Sequence, residues 1–157
     1  MSKPSARKST VISTGYETSI TRTAIAVLLV VLGIAWMVVY INYAKEAAEF
    51  QAVPGIKKPD NPLPWMADLE RWNYAIGFGL IFLGLTVSAH KSTPLGRGRG
   101  VVIGMLGCFL IGLIWIVTFY FVSQDGPIPI MNDLEQYNLL VGIGFMAVGF
   151  TFATKWE

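Results

Sequence analysis

Four stretches of this chain carry no charged side chain: 23–44, 72–89, 101–124 and 136–154. Their lengths of 22, 18, 24 and 19 residues match the roughly 17 to 25 that an α-helix needs to cross a bilayer at about 1.5 Å per residue. None alternates apolar and polar side chains as a barrel strand does, and an open strand cannot leave its backbone unpaired in lipid. The pattern predicts four transmembrane helices. Ala44-Lys45-Glu46-Ala47-Ala48-Glu49-Phe50 favours helix and carries the first span past the bilayer, until Pro54-Gly55 stops it. Pro59, Pro62 and Pro64 predict a stiff, extended stretch after that stop.

The pattern occurs twice. Pro62-Leu63-Pro64-Trp65-Met66-Ala67-Asp68-Leu69-Glu70 aligns with Pro127-Ile128-Pro129-Ile130-Met131-Asn132-Asp133-Leu134-Glu135 at a constant shift of 65 residues. Eleven of 29 positions from 62 to 90 are identical, Asn73/Asn138, Gly77/Gly142 and Gly84/Gly149 among them. A shared apolar composition does not match polar residues, so this is a duplicated structural unit. Upstream the shift is 79, placing Gly33-Ile34-Ala35-Trp36 on Gly112-Leu113-Ile114-Trp115, and the connecting loop of the second unit is 14 residues shorter. The expected fold is an all-α integral membrane protein of four transmembrane helices, two tandem hairpins in parallel repeat. Its parts are a basic tail, 1–22, a first hairpin, 23–91, with a long loop at 45–71, a Gly/Arg linker, 92–100, and a second hairpin, 101–157, with a short loop.

Composition agrees: 54% of the residues are hydrophobic and 14% charged, against roughly a quarter charged in a soluble domain. Charge orients the spans. Lys3, Arg7, Lys8, Arg22, Lys91, Arg97, Arg99 and Lys155 fall on one side, while Lys45, Lys57, Lys58 and Arg71 face eight carboxylates on the other. By the positive-inside rule the termini and linker are cytoplasmic and both hairpin loops are outside. The first span follows a polar tail without a small-residue cleavage site and reads as a retained anchor.

Candidate chemistry is sparse. No span contains a charge, which argues against a proton-coupled pump or ion pathway. The lone cysteine, Cys108, cannot form an internal disulfide, and no Cys/His cluster offers a metal site. Gly96-Arg97-Gly98-Arg99-Gly100 lacks the context of a phosphate loop and reads as a flexible basic linker beside anionic headgroups, as the basic tail does. Neither the tail nor the 27-residue loop can fold a catalytic domain. No catalytic residue, cofactor, metal or nucleic acid is expected. Asp68/Glu70 and Asp133/Glu135 precede spans, where carboxylates cap or favour helix N-termini. Trp65, Trp72, Asn73, Tyr137 and Asn138 fall at the outer interface. Gly77 with Gly84, Gly142 with Gly149, and Gly104, Cys108 and Gly112 form small-residue lines suited to close helix packing or to docking of another protein's span.

Leu95 to Gly100, Gly112 to Tyr120, Tyr137 to Phe145 and Lys155-Trp156, with Trp36, Trp65-Met66-Ala67 and Trp72-Asn73-Tyr74-Ala75-Ile76 as a second version of the same core, resemble the CrgA family of small actinobacterial cell-division membrane proteins. Typical members have one hairpin; this chain looks like two fused in tandem. The resemblance implies a non-enzymatic regulator at the septum whose partners include FtsZ and the septal transpeptidase FtsI. Homo-oligomerisation stays open. The competing class is a small channel or transporter whose path Asn73, Asn138, Thr86 and Thr151 would line.

Overall fold

The computed structural model describes residues 18–50, 54–122 and 126–155, and every regular element among them is helical. Helix α1 runs 29 residues, Ile20–Ala48. Ser19 starts it, its hydroxyl accepting from the Arg22 amide at 3.3 Å, which satisfies one of the first-turn donors. Near the loop end, Tyr40–Ala44 is wound as a π-helical segment. The polar continuation expected beyond Ala44 is helical through Ala48.

A short helix α2, Pro64–Asp68, precedes α3, Trp72–Ser88; α4 is Arg99–Val122, and a short α5, Pro129–Leu134, leads through a 3₁₀ turn, Glu135–Tyr137, into α6, Asn138–Ala153. By length and composition α1, α4 and the α5–α6 segment can each cross a bilayer. Helix α3, at 17 residues, covers about 26 Å and sits at the short limit for a span. Pro64 and Pro129 each stand in the first turn of a short helix, where a missing amide costs nothing. The extended reading therefore fails at Pro64, and α2 and α5 are the elements that the proline pattern concealed.

In lipid, apolar side chains gain little by leaving the solvent, so helices associate through close packing. Here α1 packs along α3 and α4 along α6, and both crossings pivot on glycine. A Cβ on Gly33 would lie 2.5 Å from the Gly77 carbonyl oxygen and 2.8 Å from Ile81 Cγ1; on Gly112 it would lie 2.6 Å from the Gly142 carbonyl oxygen. Gly33 maps to Gly112, and Gly77 to Gly142. Met37 covers Gly77 as Ile116 covers Gly142, also an equivalent pair. Further along, Gly84 meets Ala26 and Val30, and Gly149 meets Met105, Cys108 and Phe109.

The two hairpins also pack on each other, through α3 and α6. Phe78 meets Trp115 edge-on at a centroid distance of 5.5 Å, and Phe82 meets Phe145 at 5.1 Å. Toward the linker, Ala89, Val148 and Phe152 join Val101 and Cys108 in one buried cluster. Around this core the helices expose large apolar residues, including Leu28, Val31, Ile103, Leu110, Phe121 and Phe150, a surface that suits hydrocarbon.

The linker is not loose. Thr93 is buried; its hydroxyl donates to the Ser88 and His90 carbonyls and accepts from the Gly96 amide at 3.2 Å. Gly96 presses against the His90 backbone, and Gly98 has φ 54°, a conformation that glycine adopts without cost. These glycines serve a tight turn, not the flexible linker that composition suggested.

Candidate functional site

The repeated polar residues gather at the loop ends of the hairpins, built identically in both copies. After α2 the chain turns through Glu70 with φ 43°, and after α5 through Glu135 with φ 46°, a left-handed conformation uncommon for side-chain-bearing residues. Each turn is held by an asparagine three residues later. Asn73 Nδ2 donates to the Met66 carbonyl at 2.7 Å and the Glu70 carbonyl at 2.9 Å; Asn138 Nδ2 donates to the Met131 carbonyl at 2.7 Å and the Glu135 carbonyl at 2.8 Å. Carbonyls only accept, so the amide orientation is determined, and Oδ1 of both asparagines is buried without a partner among the described residues.

Both asparagines are fully buried: they are internal ties that close orphan carbonyls at the ends of short helices. Asn73→Ala and Asn138→Ala are each expected to cost about 1–3 kcal/mol, because buried carbonyls lose their donor. Denaturant unfolding in detergent checks this. Asn→Asp should not rescue either site, since an ionised carboxylate cannot donate.

The acidic pairs, in contrast, diverge. Asp133 is three-quarters of the way along α5 and accepts from Lys45 Nζ, at 2.9 Å to Oδ1 and 2.7 Å to Oδ2, and from the Tyr74 hydroxyl. The Lys45 and Asp133 side chains are 16% and 15% exposed, so the pair is largely desolvated. Arg71 adds a second, exposed bridge to Glu135 at 2.9 Å. Asp133 thus fastens the first hairpin to the second. Asp68 ends α2 and is exposed; neither α3 nor α6 has a side-chain cap bond at its start. The capping role expected of these carboxylates is replaced by inter-hairpin pairing at Asp133 and Glu135.

Lys45 and Tyr74 escaped sequence reasoning, yet a signal exists. Along the repeat Lys45, Arg71, Tyr74, Phe78 and Phe82 correspond to Gln124, Gln136, Leu139, Ile143 and Ala147. The inter-hairpin face of the first unit lies where the copies differ.

Gly77, Gly84, Gly112, Gly142 and Gly149 are all consumed inside their own hairpins, and Gly104 lies under the Phe152 ring. Cys108 is buried between α4 and α6. The small-residue lines are internal seams, which leaves other faces for any partner. Trp65, Trp72 and Tyr137 are exposed by 52%, 70% and 55%, as interface aromatics should be. Trp65 also packs on Trp36 at a centroid distance of 5.6 Å.

Among the basic residues, Arg97 binds the Thr18 hydroxyl, Arg99 opens α4, and Arg22 reaches the His90 imidazole at 2.7 Å. Lys3, Arg7 and Lys8 lie outside the described residues. Thr86 donates to the Phe82 carbonyl and Thr151 to the Val148 carbonyl. Each therefore bonds its own helix.

The profile of the family described as "Cell division protein CrgA" matches residues 1–91 and again 88–157. A Cell division protein CrgA of Streptomyces avermitilis is 48% identical over 63 residues, 40% of this chain and 71% of that protein. Proteins of the same description from Corynebacterium aurimucosum and Corynebacterium glutamicum are 31% identical over 75 residues and 33% over 87, covering 45% and 55% of this chain and 80% and 79% of their own lengths. No solved structure matches significantly. With each half carrying the family pattern on one helical hairpin with a buried asparagine tie, the chain belongs to the CrgA family of cell division proteins, whose unit it contains twice.

Proposed function

We propose that this protein is a non-enzymatic membrane scaffold that holds division components together at the septum and coordinates or restrains septum formation. One observation carries the reading within the division family: Lys45, Arg71, Tyr74, Asp133 and Glu135 are spent on joining two hairpins, and what remains outward is largely apolar helix surface with charged ends. Such a surface suits docking of other membrane spans, with FtsI as the partner within the membrane. FtsZ is the cytoplasmic partner, met by the basic tail and linker together with anionic headgroups. The charge distribution supports cytoplasmic termini and outward loops.

A fluorescent fusion expressed from its own promoter should concentrate at division sites, and the solubilised protein should co-purify with FtsI and FtsZ. Uniform membrane fluorescence throughout the division cycle, with neither protein recovered, would sink this reading.

A further inference from the structure

The hairpins meet through non-equivalent faces. The first contributes Tyr74, Phe78, Phe82 and Leu85 of α3 with Ala89 at its end, and the second contributes Val141, Phe145, Val148 and Phe152 of α6. Under the repeat shift the first set maps onto Leu139, Ile143, Ala147, Phe150 and Thr154 of α6, and the second onto Ile76, Leu80, Leu83 and Val87 of α3. Two units that use unlike faces pack head to tail, and a single contact of that kind is not reciprocated between the same two units. Each unit therefore keeps one face unused. On α6, Ile143 and Phe150 are 48% and 62% exposed; on α3, Leu83 is 58% exposed and Ile76, Leu80 and Val87 beside it are half-buried.

The two unused faces are not alike in charge. Asp133 heads the receiving face of the second hairpin and is neutralised by Lys45, with Tyr74 as a second donor. Asp68 heads the same face of the first hairpin with the same backbone, the matched Glu70 and Glu135 turns and matched asparagine ties. It is exposed and forms no ion pair among the described residues. A second copy of this chain could bring only its own unused α6 face, which carries Gln136 and Leu139 where the first unit has Arg71 and Tyr74. It offers no cation.

We propose that the α3 face running from Asp68 through Ile76, Leu80, Leu83 and Val87 is a docking site for a transmembrane helix of another protein that carries a Lys or Arg at its outer end. The internal contact is the template: a basic group at the loop end meets the aspartate, and bulky apolar side chains fill the face below it. Apolar packing supplies the area, and the ion pair selects the partner and its register. This deepens the scaffold reading by naming the surface and the chemistry of the span it receives.

The probe is a synthetic peptide of residues 69–91 of this chain with Tyr74→Lys, which places a cation where the Tyr74 hydroxyl meets Asp133 and presents Phe78 and Phe82 below it. It is reconstituted in neutral-lipid vesicles with the full-length protein carrying a photo-crosslinker at Leu83 or, separately, at Ile143. The expected result is capture of the peptide from Leu83 and far less from Ile143. Asp68→Lys should lower capture about three- to fivefold, the range of a modest ion pair, and a peptide carrying Tyr74→Glu in place of Tyr74→Lys should restore it on that variant. Asp68 is exposed, so Asp68→Lys should fold normally, and unchanged unfolding of the variant checks this. Capture that ignores the charge at position 68, absence of peptide capture at Leu83, or equal Leu83 crosslinking to a second full-length copy would each overturn the proposal. Septal localisation with any of those outcomes would leave the scaffold reading standing, whereas loss of localisation with charge-dependent capture would remove that reading and keep the site.

Discussion

Gly112→Leu should pry open the second hairpin. Even the first carbon of the new side chain would stand 2.6 Å from the Gly142 carbonyl oxygen and 3.1 Å from Met146 Cγ. A backbone carbonyl in a helix cannot turn aside, so α4 and α6 must separate and lose their contacts along the seam. The expected cost is about 2–3 kcal/mol, typical of overpacking against a rigid neighbour. Gly33→Leu should cost a similar amount in the first hairpin, where the clash is with the Gly77 carbonyl and Ile81. Gly107→Leu is the control: it lies on the same helix as Gly112, and an added Cβ meets nothing within 4 Å. Its effect should stay within about 0.5 kcal/mol. Unfolding in mixed micelles, read by a fluorophore pair across each hairpin, measures all three. Equal losses at Gly107 and Gly112 would refute the seam.

Asp133→Ala should destabilise the joined hairpins by about 2–3 kcal/mol, whereas Asp68→Ala, at the identical repeat position, should change stability by less than about 0.5 kcal/mol. The difference is one of surroundings. Removing Asp133 leaves the Lys45 ammonium, whose side chain is only 16% exposed, with just the longer contact to exposed Glu49 at 3.7 Å, and deprives the Tyr74 hydroxyl of its acceptor. A deep burial would cost more, but the loop end borders solvent and some charge can rehydrate. Exposed Asp68 leaves nothing stranded. A double-mutant cycle with Lys45→Met isolates the pair: the double variant should recover part of the loss, because no uncompensated charge then remains. If the two aspartate variants prove equally harmful, pairing across the hairpins is not what Asp133 does.

The Asp133 anchor also explains why a shared sequence pattern misleads about roles. Asp-Leu-Glu recurs unchanged in both units, and repetition alone assigns both copies one task. Position in the tandem breaks that equivalence, since the second copy has a neighbouring hairpin on its receiving side and the first has none among the described residues. Its neighbour brings Lys45 from the loop end of α1, just past the π-helical segment Tyr40–Ala44.

The sequence by itself determined the all-helical membrane class, the positions of the four apolar helices to within a few residues, the duplication and the family. It did so because hydrocarbon demands long uncharged helices and because the repeat preserves its polar landmarks. Only the tertiary structure decided what those landmarks do. Asn73 and Asn138 became buried ties, the glycine lines became seams within each hairpin, and Pro64 and Pro129 opened short helices. Asp133 was joined to residues 88 and 59 positions away. Spacing along a chain records which side chains share a helix face, but which face meets another helix depends on close packing among all of them. In a head-to-tail pair of similar units that packing makes identical residues unequal.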